Sequence, residues 1–143
     1  MSDQRLLSLR DQITEEAPWL FSALGLSIVG EDFQPKSFGN SFVTLEGASI
    51  RVRFVRDRGQ VWVDVAPRNT RNKWWHLLFV LEAVRGQLPE ANYTLKHATT
   101  LLYDNFGELV ESLGPNWQKT ESELRRREAE RLDAYRSRKP KDQ

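Results

Sequence analysis

"RVRFVRDRGQVWVDV", residues 51–65, alternates apolar with other side chains on either side of a short turn. A period of two is typical of β-strands whose two faces differ. Gly59 supplies the positive φ that a tight hairpin turn needs. The dry face of this hairpin contains Ile50, Val52, Phe54, Val61, Val63 and Val65, and the open face contains Arg51, Arg53, Val55, Trp62 and Asp64. We predict an antiparallel hairpin whose dry face is covered by helices.

Further β-rich runs precede this hairpin. The four predicted strands are residues 26–33, 41–46, 49–56 and 61–66. The connections contain Gly39-Asn40, Gly47 and Gly59, and each is short enough to join neighbouring strands. The sequence therefore predicts a four-stranded antiparallel meander.

Apolar residues recur at helical spacing both before and after the predicted sheet in the sequence. The N-terminal stripe consists of Leu6, Leu9, Ile13, Leu20 and Leu24, and Pro18 predicts a kink or break near Ala17. After the sheet, helices are predicted over about residues 73–86 and 95–113. The fold class is therefore α+β, with an N-terminal helix, a four-stranded antiparallel meander and two or three C-terminal helices packed mainly on one sheet face.

Two adjacent tryptophans cannot share one face of a helix. We place Trp74 on the stripe that continues with Leu77 and Leu81, and Trp75 on a second stripe with Phe79. Trp75 has two interpretations, as a core residue beneath a later helix or as an anchor for a partner. Core packing is favoured, because a later helix is available to cover it.

The composition changes after Trp117 to Glu, Arg and Lys with few apolar residues. We predict a single α+β domain over residues 1–117, and a charged helical extension over residues 118–143 with a disordered end. The interleaved glutamates and arginines suit pairs within one helix. Self-association through this helix is a second interpretation.

Charge and cysteine content indicate the class of protein only broadly. The formal net charge is +1 and the chain contains no cysteine, which excludes disulfide scaffolds and thiolate metal sites. The absence of cysteine fits a reducing compartment, so we expect a cytoplasmic protein. No run of apolar residues is long enough for a membrane span, and we expect no membrane association.

Motifs for catalysis or cofactor binding are absent from the sequence. His76 and His97 are the only histidines, and their separation matches no familiar metal-binding spacing. Asp57 is better explained by the turn, and Asp64 as a partner for a neighbouring arginine. We therefore expect no metal, no cofactor and no enzymatic activity.

A basic surface is the strongest candidate site. Its predicted partner-binding residues are Arg51, Arg53, Arg56, Arg58, Trp62, Arg68 and Arg71. Arginine binds carboxylates or phosphates in bidentate geometry, and an aromatic neighbour can stack on a base. The candidate partners are an acidic protein and, as the alternative, single-stranded nucleic acid. A third interpretation is a solvated face whose arginines pair with Asp64 or Glu46.

The sequence combines three features: Phe38-Gly39-Asn40, the hairpin from Val55 to Val61, and Trp74-Trp75 followed by Leu77 and Leu78. This combination resembles small bacterial α+β proteins, some of which are immunity partners in polymorphic toxin systems. The resemblance covers roughly residues 26–90 and transfers no site residue. It implies a cytosolic α+β domain that works by binding another protein.

Overall fold

A computed structural model describes residues 7–34, 40–70 and 73–138 of the chain. The strands are β1 (Ser27–Gln34), β2 (Asn40–Glu46), β3 (Ile50–Asp57), β4 (Gln60–Pro67) and β5 (Trp75–His76). The helices are α1 (Leu9–Glu16), α2 (Trp19–Ser22), α3 (Leu77–Arg85), α4 (Leu95–Asp104), α5 (Phe106–Leu113) and α6 (Trp117–Arg138). The α+β class is confirmed.

The strands form one antiparallel sheet in the order β1-β2-β3-β4-β5. The first four strands begin and end within one residue of their predicted positions. The sheet has five strands among the described residues, one more than the four predicted. Asp64 pairs with His76 and Val65 with Trp75, so the added strand continues the meander.

The fifth strand shortens the helix that we predicted from about residue 73. Helix α3 instead begins at Leu77, because the Nδ1 atom of His76 accepts a hydrogen bond from the Leu78 backbone N–H at 3.2 Å and caps the helix. Trp75 is 3% exposed and belongs to the core, as predicted. Trp74 immediately precedes this strand, and its ring lies over Arg51 and Arg53 on the open face.

The predicted helix over residues 95–113 is divided at Asn105 into α4 and α5. The Asn105 side chain donates a hydrogen bond to the Leu101 carbonyl at 2.8 Å, and its backbone leaves the helical conformation. Asparagine commonly competes with the backbone in this way. In the part of the chain that the structure describes, four helices therefore follow the sheet, and the sequence predicts two or three.

The N-terminal helix breaks as Pro18 predicted. Helix α1 ends at Glu16, and the single turn α2 begins at Trp19. Leu9, Ile13 and Leu20 are buried in the same cluster as the dry face of the sheet. Both pieces of the helix thus cover that face.

Helix α6 forms the charged segment after residue 117, and its first half is docked on the domain. Leu124 is fully buried, and α6 packs against α3 and α5. Glu82 of α3 forms ion pairs with Arg127 and Arg131 at 3.7 and 2.8 Å. The helix therefore contributes to the core through Leu124 and continues beyond it. The end predicted to be disordered comprises residues 136–143. Residues 136–138 of it are helical and belong to α6, and the remainder lies outside the described residues.

Candidate binding surface

Strand register separates the two faces of the sheet as the alternation predicted. Val43, Leu45, Val52, Phe54 and Val63 of the dry face are buried in the core. The open face carries Phe42, Thr44, Glu46, Arg51, Arg53, Val55, Trp62, Asp64 and His76. The candidate surface lies on this open face.

Arg51 is held in place on the open face by three groups. Its Nη1 atom donates a hydrogen bond to the Thr70 carbonyl at 2.7 Å, and its Nε atom lies 3.9 Å from the Glu46 carboxylate. Its guanidinium carbon lies 4.4 Å from the centre of the Trp74 ring. The side chain is only 12% exposed. Arg51 therefore supports the surface more than it presents charge to a partner.

Arg53 is also engaged, but it remains more accessible. Its Nη2 atom donates to the Asp64 carboxylate at 2.8 Å, and its side chain is 27% exposed. Its guanidinium carbon lies 4.8 Å from the centre of the Trp74 ring and 5.1 Å from that of Phe42. A guanidinium fixed between aromatic rings loses little further conformational freedom on binding.

Arg56 does not stand beside Arg51 and Arg53 on the open face, where the sequence predicts it, and it reaches that face only in the lining of a cleft near the hairpin. The even-numbered residues of β3 face the dry side, and Arg56 is 4% exposed there. It donates hydrogen bonds to the Leu7 carbonyl at 3.1 Å and to Gln12 Oε1 at 2.8 Å. Burial lowers the pKa of Arg56 from its ordinary value. Its role is to join the N-terminal segment to the sheet.

The remaining predicted arginines lie toward the margins of the surface. Arg58 stands at the tip of the β3–β4 hairpin with its side chain 77% exposed. Arg68 donates to the Gly47 carbonyl at 3.0 Å and lies 3.7 Å from Glu46. Arg71 lies outside the described residues. The predicted residues that the structure describes therefore lie in four places. Arg58 is at the hairpin tip, Arg68 is in the loop after β4, and Arg56 is in the core. Arg51, Arg53 and Trp62 share the open face.

A cleft of about 240 Å³ occupies the part of the open face that Trp74 leaves uncovered. Phe42, Arg53, Val55, Trp62 and Asp64 line it. Phe42 is 38% exposed, whereas Trp62 is half-buried. The cleft is therefore aromatic and close to electrically balanced, because its central arginine faces a carboxylate.

Phe42 and Trp74 belong to this surface, but neither is among the site residues that the sequence predicts. Phe42 follows from the alternation of β2, since it lies between Ser41 and Val43, which are both buried on the other face. The helical spacing predicts Trp74 on a helical stripe, but its ring lies over Arg51 and Arg53 instead. The Trp74-Trp75 pair could have predicted this position, because neighbouring residues of an extended segment point to opposite faces of a sheet.

An aromatic cluster borders the cleft where β5 joins the sheet. The rings of Trp62 and His76 are stacked with centroids 6.3 Å apart, and Tyr93 meets both rings edge-on. Burial lowers the pKa of His76, and the opposing influence of Asp64 is smaller. His76 and His97 line one cavity of about 20 Å³. No group of metal-ligating side chains occurs among residues 7–34, 40–70 and 73–138.

Comparison with protein-family models, with curated proteins and with solved structures found no match. Within the described part of the chain, no helix has the length and apolar character to cross a membrane.

Proposed function

We propose that this protein is a non-enzymatic, immunity-like protein-binding module that captures an acidic protein partner on its open face. The observation that carries the proposal is the placement of Arg53 beside Phe42 and Trp62 in one cleft. Arginine and aromatic residues are enriched among the residues that dominate binding energy at protein interfaces. The cleft would accept an apolar side chain of the partner, flanked by a carboxylate.

Charge within the surface favours a protein over single-stranded nucleic acid. Glu46 and Asp64 lie among the arginines of the face, and Arg51 is mostly covered. A nucleic-acid groove needs a continuous set of cations that follows the phosphates. A protein interface instead favours a desolvated centre with a charged rim, and Arg58 would belong to that rim.

Two exposed phenylalanines provide a matched test. Phe42 is 38% exposed on the open face, and Phe33 on β1 is 42% exposed on the opposite face. The protein is immobilised, exposed to lysate with and without nuclease, and the retained molecules are identified by mass spectrometry. We expect one nuclease-resistant protein, whose affinity falls roughly tenfold or more with Phe42→Ser. Phe33→Ser should retain it.

The alternative makes a different prediction in the same experiment. The experiment could instead recover nuclease-sensitive nucleic acid, with an affinity that falls steeply as the salt concentration rises. That result would identify single-stranded nucleic acid, rather than a protein, as the partner. If the Phe42 and Phe33 variants retained the protein equally, its binding site would lie outside the cleft. Circular dichroism of both variants verifies that the fold is intact.

A further inference from the structure

The second half of α6 carries an apolar stripe that the domain leaves uncovered. Among residues 7–34, 40–70 and 73–138, the last ion pair from α6 to the domain joins Arg131 to Glu82 at 2.8 Å. The Arg131 guanidinium carbon lies 3.9 Å from the centre of the Phe79 ring. Beyond this point Leu132 is 47% exposed and Tyr135 is 65% exposed. A shallow groove beside them has Phe79, Ala129 and Leu132 in its lining.

The residues around Leu132 form a pattern that complements itself. Glu128 and Arg136 each stand four residues from Leu132, on either side, and Ala129 and Tyr135 each stand three residues away. If two copies of the helix meet antiparallel about a two-fold axis at Leu132, Glu128 faces Arg136 of the other copy. The small Ala129 then faces the large Tyr135. Because the axis is two-fold, the contact contains two Glu128–Arg136 pairs and two Ala129–Tyr135 pairs.

The intramolecular partners of these residues leave room for the contact. Glu128 forms an ion pair with Lys73 at 2.9 Å, but its side chain remains 48% exposed. Arg136 is exposed and forms no ion pair with the part of the chain that the structure describes. A carboxylate has two oxygens and can accept from a second cation.

We propose that the stretch from Glu128 to Arg136 binds the same stretch of a second copy in an antiparallel, two-fold helix pair. The contact lies on α6, apart from the open face, so it does not depend on the proposed partner-binding site. A single helix pair buries less than the roughly 1,200 Å² of a standard interface. The dimer is therefore a weak one, in concentration-dependent exchange with the monomer.

Engineered cysteines test the two-fold position directly, because the chain contains no cysteine. Leu132→Cys places a thiol at the axis, next to its counterpart. Glu130→Cys is the matched control, because two residues of helix turn it about 200° away from Leu132. With a mild oxidant, disulfide-linked dimer should form roughly ten times faster in the Leu132 variant than in the control. Equal rates would overturn the two-fold contact.

Charge reversal tests the pairing of Glu128 with Arg136. Sedimentation velocity across roughly two decades of concentration measures the dimer constant. Glu128→Arg or Arg136→Glu alone should weaken dimerisation roughly tenfold, and the double variant should restore it. The double variant still lacks the Lys73 pair, so restoration cannot come from that contact. A chain that stays monomeric throughout, or a double variant no better than the singles, would refute the proposal.

Discussion

Asp64 lies directly across the β3–β4 pair from Arg53, and its carboxylate accepts a hydrogen bond from the Arg53 guanidinium at 2.8 Å. The pair fixes Arg53 between the rings of Phe42 and Trp74. It also offsets positive charge at the centre of the open face. The basic face that the sequence predicts is therefore a cleft of paired charges and aromatic rings, bordered by more exposed arginines.

Removing the charge of Asp64 should destabilise the protein. Asp64→Asn leaves the largely buried Arg53 guanidinium without its counter-ion, and we expect a loss of about 1–2 kcal/mol because the pair retains some solvent access. Urea denaturation measures the free energy of unfolding. Asp57→Asn is the control, since Asp57 is half-exposed and 4.0 Å from Arg58, and it should change that free energy by less than about 0.5 kcal/mol. Equal effects of the two changes would contradict this account.

Substitutions at two neighbouring positions of the hairpin tip should change the free energy of unfolding in opposite directions. Arg58 and Gly59 both have positive φ, of 54° and 84°, as a type I′ turn requires. Arg58→Asn should raise the free energy of unfolding by about 0.5–1 kcal/mol, because asparagine adopts this conformation more readily. Gly59→Ala should lower it by about 1 kcal/mol through backbone strain alone, since no atom would meet the added methyl group. Thermal and urea unfolding of both variants measure the difference.

Stability should fall as the solution is acidified through the titration range of His76. The folded protein favours neutral His76, whose pKa is lowered from 6.5 and whose Nδ1 atom caps α3. The stabilising contribution is therefore complete above about pH 6.5 and is lost as the pH falls toward the lowered folded pKa. Asp64, which faces His76 across β4 and β5, opposes this shift without reversing it.

The pH dependence is measured as the free energy of unfolding between about pH 7.5 and pH 5. His76→Gln does not titrate, so its stability should fall less over this interval than that of the unchanged protein. Any decrease that the two proteins share comes from other groups. If the free energy of unfolding fell equally with pH in the two proteins, groups other than His76 would account for the whole pH dependence.

Two leucines of α6 should differ sharply when shortened. Leu124 is fully buried among residues of the core, and Leu124→Ala should cost about 2–5 kcal/mol because it leaves a cavity. Leu132 is 47% exposed, and Leu132→Ala should cost less than about 1 kcal/mol in dilute solution. Urea unfolding of both variants tests whether α6 belongs to the cooperative fold. A small effect at Leu124 would mean that the helix detaches before the domain unfolds.

The alternation of residues 50–65 by itself determined the hairpin, its turn and the division of the sheet into two faces. The sequence likewise determined the helix break at Pro18. These features are local, because each follows from the allowed backbone angles of a few neighbouring residues or from the period of the side chains. For the same reason, Arg53 and Trp62 could be placed on the open face in advance.

Only the tertiary structure decided the features that depend on groups distant in sequence. Trp74 lies on the open face because β5 pairs with β4, and Arg56 is buried because α1 and Leu7 pack against its end of the sheet. Leu124 joins the core because α3 and α5 provide a surface for α6. Local propensity cannot predict these contacts, since the free energy that stabilises them comes from burial and hydrogen bonds that exist only once the distant partners have met.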